Sequence, residues 1–268
     1  MIRIRSHTKK PKPRRASIPP APPSLFPFLF IIHSREQNKK KQTTNMGGIT
    51  SKSTTTTTNL PPLQTVSNCI TEKMMGAWFV IAVKPTPFET KNSNAVERYT
   101  WIPEKDRKNN KGHHDFDIEF QFNTNEPITS NLKTMPQKGW IDDEHTDKQQ
   151  QQQQEPRIQT KTGNWKISPL WPIKLSYLIL EADTTNYQYC IVGYPSRAYC
   201  WILARTPQIS DELYQDLCGR LTGKHQYDLT GLRLVPQKWT KEEREKRQLV
   251  QEIPDQMLET TSTSTTTD

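Results

Sequence analysis

The chain has 268 residues, of which only 32% are hydrophobic, with 21 prolines, 10 glycines and a formal net charge of +9. That apolar content is low for one compact domain of this length, so sizeable unfolded segments are expected around a smaller core. Residues 1 to 45 hold 11 Lys/Arg against one acid, which leaves −1 for residues 46 to 268 and removes the case for a nucleic-acid-reading domain, where basic side chains cluster on a folded face.

Residues 1 to 59 form a leader, basic and Pro-rich and then Thr-rich, too polar to offset the entropy of ordering. Its longest apolar run, residues 25 to 32, contains Pro27 and is far short of the roughly 20 residues a membrane-spanning helix needs. Met46-Gly47-Gly48-Ile49-Thr50-Ser51 fits the N-myristoylation pattern M-G-x-x-x-[ST], with Gly47 as the acylated residue if translation starts at Met46. One acyl chain would hold the protein reversibly on the cytoplasmic face of a membrane. Two other readings stay open: a leader read from Met1 that targets a plastid or mitochondrion, and a disordered extension with a chance match at Met46.

From residue 60 to 239 the apolar period is mostly two. Residues 77–83, 95–102, 114–122, 132–141, 157–167, 173–181, 187–193 and 198–204 are strand-like, rich in Val, Ile, Thr and aromatics. Between the fourth and fifth lies a glutamine run with acidic flanks, expected as an exposed loop insertion over residues 142–156. Tyr194-Pro195-Ser196-Arg197 supplies a tight turn between the last two strands. Ser210 is the candidate N-cap of a helix in which Ile209, Leu213, Leu217 and Leu221 recur at helical spacing up to Gly223. A short ninth strand, residues 232–235, follows. The expected fold is all-β: an eight-stranded antiparallel up-and-down barrel with one C-terminal helix packed outside. Residues 240–268 read as a charged and Thr-rich tail, without a continuous apolar face in residues 240–259. Four cysteines, none in a CxxC pair, point to no disulfide framework and no zinc site.

Three segments carry a resemblance. Gly76-Ala77-Trp78 opens the first strand as a GxW motif, and Asp183 and Tyr187 sit in the turn between the sixth and seventh strands. Tyr199-Cys200-Trp201-Ile202-Leu203-Ala204-Arg205-Thr206-Pro207 matches a YxWILxRTP segment. Together they resemble the lipocalins, in particular the group of bacterial outer-membrane lipocalins, apolipoprotein D and plant temperature-induced lipocalins. The resemblance implies that Trp78 plugs the closed end of the barrel with the Arg205 guanidinium stacked on its indole, a structural pair. It also places Tyr99 and Trp201 in the pocket.

Alternation in the third strand turns Phe116, Ile118, Phe120 and Phe122 inward, and Asp115, Asp117, Glu119 and Gln121 toward water. The same rule adds Trp165 and Ile167 on the fifth strand and Tyr177 and Ile179 on the sixth. A lining this apolar suits a fatty acid, lysophospholipid, sterol or carotenoid-like molecule, so the expectation is a carrier or scavenger of small hydrophobic ligands, not an enzyme, with no cofactor, metal or nucleic-acid partner. The alternative is an enzyme on the same scaffold acting on a lipid epoxide or hydroperoxide, since violaxanthin de-epoxidase also resembles lipocalins. That chemistry needs a general acid in the pocket, and the alternation supplies none: Asp117, Glu119 and His113-His114 read as solvated surface. An exposed methionine such as Met135 is the candidate for hydroperoxide reduction. Cys200 is expected to face the outer helix that carries Cys218.

Overall fold

Along Phe116–Thr124, Phe116, Ile118 and Phe120 are buried while Asp117 and Glu119 are exposed, the period of a strand with one dry face. In the structure, a computed structural model that describes residues 60–107, 113–142 and 157–259, this strand is one of nine. Gly47 and the glutamine run lie outside the described residues. In chain order the elements are α1 (Thr71–Met74), β1 (Gly76–Lys84), β2 (Asn92–Trp101), α2 (Glu104–Arg107), β3 (Phe116–Thr124), β4 (Leu132–Ile141), β5 (Asn164–Leu170), β6 (Ile173–Ala182), β7 (Tyr189–Gly193), β8 (Cys200–Ala204), α3 (Asp211–Gly223), β9 (Arg233–Leu234) and α4 (Lys241–Lys246).

Strands β1 to β8 pair antiparallel in sequence order, and β1 closes the ring by pairing both β2 and β8. It does so by dividing its length. Gly76 to Phe79 pair with β2, Phe79 to Lys84 pair with β8, and a bulge between Val80 and Ala82 bends the strand between the two. Where β2 has left the edge of β1, β9 takes its place at Ala82 and Val83. The bulge frees backbone acceptors that later residues satisfy: Gln237 Nε2 donates to the Val80 carbonyl at 3.0 Å and the Val235 amide to the Ile81 carbonyl at 2.9 Å.

Two apolar cores flank the barrel wall. The inner one gathers Trp78, Tyr99, Phe116, Ile118, Phe120, Trp165, Tyr177 and Ile179; the outer one packs Phe79, Val96, Cys200 and Ile202 against Leu217 and Leu221 of α3. Ser210 caps α3 as expected, its hydroxyl accepting from the Leu213 amide at 3.2 Å. The far end of α3 is fastened by Glu181, which accepts from Lys224 Nζ at 2.6 Å and lies 2.7 Å from His225 Nε2. Cys200 and Cys218 both belong to this outer core, and both thiols are free; burial pushes the Cys200 pKa up to about 12. Gly139 is required where it stands, because a Cβ there would lie 2.1 Å from Cε2 of the Phe116 ring that packs across it.

Four expectations are corrected. The fifth strand begins at Asn164, not 157, and Arg157–Gln159 form a 3-10 turn. The reason is a competing partner: the Thr160 carbonyl accepts from both the amide and the hydroxyl of Thr71 at the start of α1. Asp115 does not face water. It precedes β3, is buried, and accepts from the Ile141 amide at 2.9 Å, tying off the end of β4. His114 is also buried, its Nε2 2.6 Å from Asp117 and its ring 5.9 Å from that of Trp140.

The fourth correction concerns residues 240 to 259, which fold back along the barrel as a strap. Leu249 and Ile253 are fully buried in the outer core beside Trp239, whose ring meets Phe79 edge-on at 5.8 Å. No continuous apolar face announces this, because the strap docks through a few separated anchors and two buried arginines, Arg244 and Arg247.

Candidate functional site

The closed end is built by the three sequence motifs together. Trp78 is fully buried and donates from Nε1 to the Met74 carbonyl at 2.7 Å, while the Arg205 guanidinium carbon lies 3.7 Å from its ring centroid. Arg205 also donates to four carbonyls, those of Lys73, Met75, Ala77 and Tyr187, at 2.7 to 3.2 Å. Gly76 takes φ +97, a backbone conformation that favours glycine, and a Cβ there would come within 3.3 Å of Arg205 Nη1. Asp183 organises the turn ahead of β7 by accepting the amides of Thr185, Asn186 and Gln188. Tyr187 sends its hydroxyl to the α1 segment, accepting from the Ile70 amide at 2.9 Å. Four of the five motif residues thus hold backbone, and Gly76 makes room for Arg205 to do so.

Above that floor the inward side chains divide by depth. Tyr99, Phe116, Ile118, Phe120, Trp165 and Tyr177 are sealed, each no more than 2% exposed. Phe122, Met135, Ile167 and Trp201 are half-buried and pack on the same inner core toward the other end of the barrel. Trp201 connects the two levels, its ring centroid 6.2 Å from that of Tyr177.

The largest departure from expectation is a carboxyl in the middle of this lining. Glu97 is 5% exposed, and its Oε2 accepts from Tyr99 at 2.6 Å and from Tyr177 at 2.7 Å, while the two phenolic oxygens stand 2.5 Å apart. Three short contacts join three oxygens, and two phenolic protons serve only two of them. A proton on Glu97 completes the ring head to tail, Oε2 then donating to one phenol and accepting from the other while the first phenol donates to the second. Burial agrees: it raises the Glu97 pKa from 4.5 to about 7, against the opposing pull of the two phenols. A second acid, Glu89, lies in the connection from β1 to β2, accepting from Trp201 Nε1 at 2.8 Å and from the Thr86 hydroxyl at 2.6 Å. Burial raises its pKa too, and its charge opposes ionisation of Glu97.

Sequence reasoning missed Glu97, although it stands two residues from Tyr99, which the resemblance places in the pocket, and residues two apart on a strand share a face. Glu89 carries no such signal, because it sits in a loop and meets Trp201 only through the fold. Gln137, opposite Ile118 on β4 and buried, is a further inward polar group reached by the same register argument.

A protonated carboxyl in the fold has a measurable consequence. Because the folded pKa lies above the unfolded value of 4.5, its contribution to stability is complete below about pH 4.5 and is lost as the pH rises through about 7. Chemical denaturation at pH 5 and pH 8 is expected to show a lower midpoint at pH 8, and Glu97→Gln to shrink that difference. A pH dependence unchanged in the variant would refute the assignment.

Among the described residues no group of three or more His, Cys, Asp or Glu is placed to hold a metal. A Lipocalin-like domain model matches residues 71–237. Temperature-induced lipocalin-1 of Arabidopsis thaliana is 27% identical over 176 residues, which cover 65% of this chain and 83% of that protein. Outer membrane lipoprotein Blc of Vibrio cholerae is 40% identical over 47 residues, 18% of this chain and 28% of its own. Insecticyanin from the tobacco hornworm Manduca sexta aligns at 16% identity with a TM-score of 0.43, over 68% of this chain and 87% of its own. With the family model spanning the barrel from α1 to the residue that seals the bulge in β1, this chain belongs to the lipocalin family.

Proposed function

We propose that this protein carries or scavenges small apolar molecules, which enter past Trp201 and Phe122 and lie against a wall made by Tyr99, Phe116, Ile118, Phe120, Trp165 and Tyr177. Lipocalins bind small hydrophobic ligands, and the observation that carries the reading here is the grading of the lining. Sealed aromatics give way to half-buried apolar side chains at one end of the barrel, the expected form of a mouth. Fatty acids, lysophospholipids, sterols and carotenoid-like molecules are the ligand classes that so apolar a lining suits. The likeness to a temperature-induced lipocalin and to an outer membrane lipoprotein supports a role in membrane lipid maintenance or stress protection, with acylation of Gly47 as the route to a membrane surface.

Titration with a fluorescence-quenching apolar ligand is expected to reduce tryptophan emission saturably, and Trp201→Phe to remove a large share of the quenching. Native mass spectrometry of the purified protein is expected to show bound lipid. Absence of both would sink the carrier reading.

A second reading, an enzyme acting on a lipid epoxide, is favoured by one observation. Opening an epoxide by general acid catalysis needs a carboxyl that still holds its proton near neutrality, and Glu97 has that property inside the barrel. Turnover of a lipid epoxide that disappears in Glu97→Gln would establish it, and absence of turnover would leave the carrier.

A further inference from the structure

The inner core contains a hydrogen-bond donor without an acceptor. Trp165 is 1% exposed, its ring stacked 6.5 Å from that of Tyr177 and edge-on to that of Tyr99 at 6.0 Å, and its indole Nε1 is buried with no partner. An orphaned buried donor forfeits its hydrogen bond to water, a loss that a ligand oxygen would recover. Beside it stands the closed ring of Glu97, Tyr99 and Tyr177, polar atoms in an otherwise apolar lining. We infer that Trp165 Nε1 and the Glu97–Tyr99–Tyr177 ring form a seat for an uncharged oxygen, so that the barrel selects apolar ligands ending in a hydroxyl or carbonyl and disfavours free carboxylates.

The charges around the seat support the discrimination. A carboxylate passing Trp201 meets Glu89 first, bonded to that indole, and Glu97 behind it. No guanidinium offsets Glu97: Arg205 is held by four backbone carbonyls at the closed end, and Arg233, bonded to the carbonyls of Glu89 and Asn92, sets its charge against Glu89. The buried Arg244 and Arg247 belong to the strap on the outer side of the wall. Bringing an anion next to a buried carboxyl without a counter-charge forces one of the two to take up a proton or stay in water. A neutral hydroxyl or carbonyl incurs no such penalty and accepts the Trp165 proton.

The inference rests on the carrier reading and is tested by two probes that differ only at the head: oleyl alcohol and oleic acid, titrated at pH 8 against tryptophan fluorescence. In the wild-type protein the alcohol is expected to bind about tenfold or more tightly than the acid. In Glu97→Gln that ratio is expected to fall below about threefold, since the amide keeps the size and loses the acid. Equal affinities in the wild type overturn the inference while leaving the carrier function standing, and they do so even if the variant fails to fold. An unchanged ratio in a folded Glu97→Gln overturns it as well. Binding of neither probe removes both.

Discussion

Replacing Trp78 with alanine is expected to destabilise the protein by about 3–5 kcal/mol, the range for emptying a large aromatic site in a close-packed core. In a domain of this size that lowers the melting temperature by about 6–20 °C. The cost has three parts. The indole is fully buried, its N–H satisfies the Met74 carbonyl, and its face carries the Arg205 guanidinium at 3.7 Å. Losing that face leaves Arg205 over a void while it still holds four carbonyls, so the closed end loosens as a unit. Thermal unfolding followed by circular dichroism measures the loss, and ligand titration of the surviving fold separates roles. A variant as stable as the wild type but unable to bind ligand would show that Trp78 belongs to the pocket and not to the plug.

The second large effect is expected at Arg247, in the strap. Its guanidinium donates to the Asn94 carbonyl and to Glu243 at 2.7 Å each and to Asn123 Oδ1, and it lies 4.9 Å from the Trp239 ring centroid. Arg247→Ala leaves the two asparagine acceptors buried without this donor and removes the guanidinium face from Trp239. The expected cost is about 3–5 kcal/mol, as when one partner of a buried charged network is removed. Release of residues 240–259 from the wall is the specific signature, read by new protease cleavage in that segment and faster amide exchange there. Wild-type cleavage and an unchanged melting temperature would show that Leu249 and Ile253 hold the strap without it.

Those two positions mark what the sequence made legible and what it hid. Trp78 and Arg205 stand in recognisable motifs, and the strict alternation from Phe116 to Phe122 identifies both the strand and its inward face. The span of β4, residues 132 to 141, and the Ser210 cap were equally readable, because each follows from local pattern alone. Arg247 has no local signal. Its partners Asn94 and Asn123 lie on other strands far away in the chain, and a stretch of alternating charge ordinarily reads as solvated surface. Glu97 was obscured differently: two residues from Tyr99 it shares the inward face, but a carboxyl at an inward position conflicts with the expectation that acids face water, and only the two tyrosines resolve the conflict. Asp115 repeats the lesson at a strand end, where a backbone amide rather than water takes the carboxylate.

The divided pairing of β1 bears on how the molecule is assembled in time. Phe79 meets Val96 close by in sequence but also Ala204, more than a hundred positions later, so the ring closes only after β8 has been made and brought back. Closure of so long a loop makes folding slow. Everything that then locks β1 comes later still in the chain: β9, the Gln237 bond at the bulge, and Trp239 on Phe79. If these contacts form after the rate-limiting closure, they act as a latch: they leave the folding rate nearly unchanged and retard unfolding, so the lifetime of the closed barrel, and of any cargo inside it, is governed by its last residues.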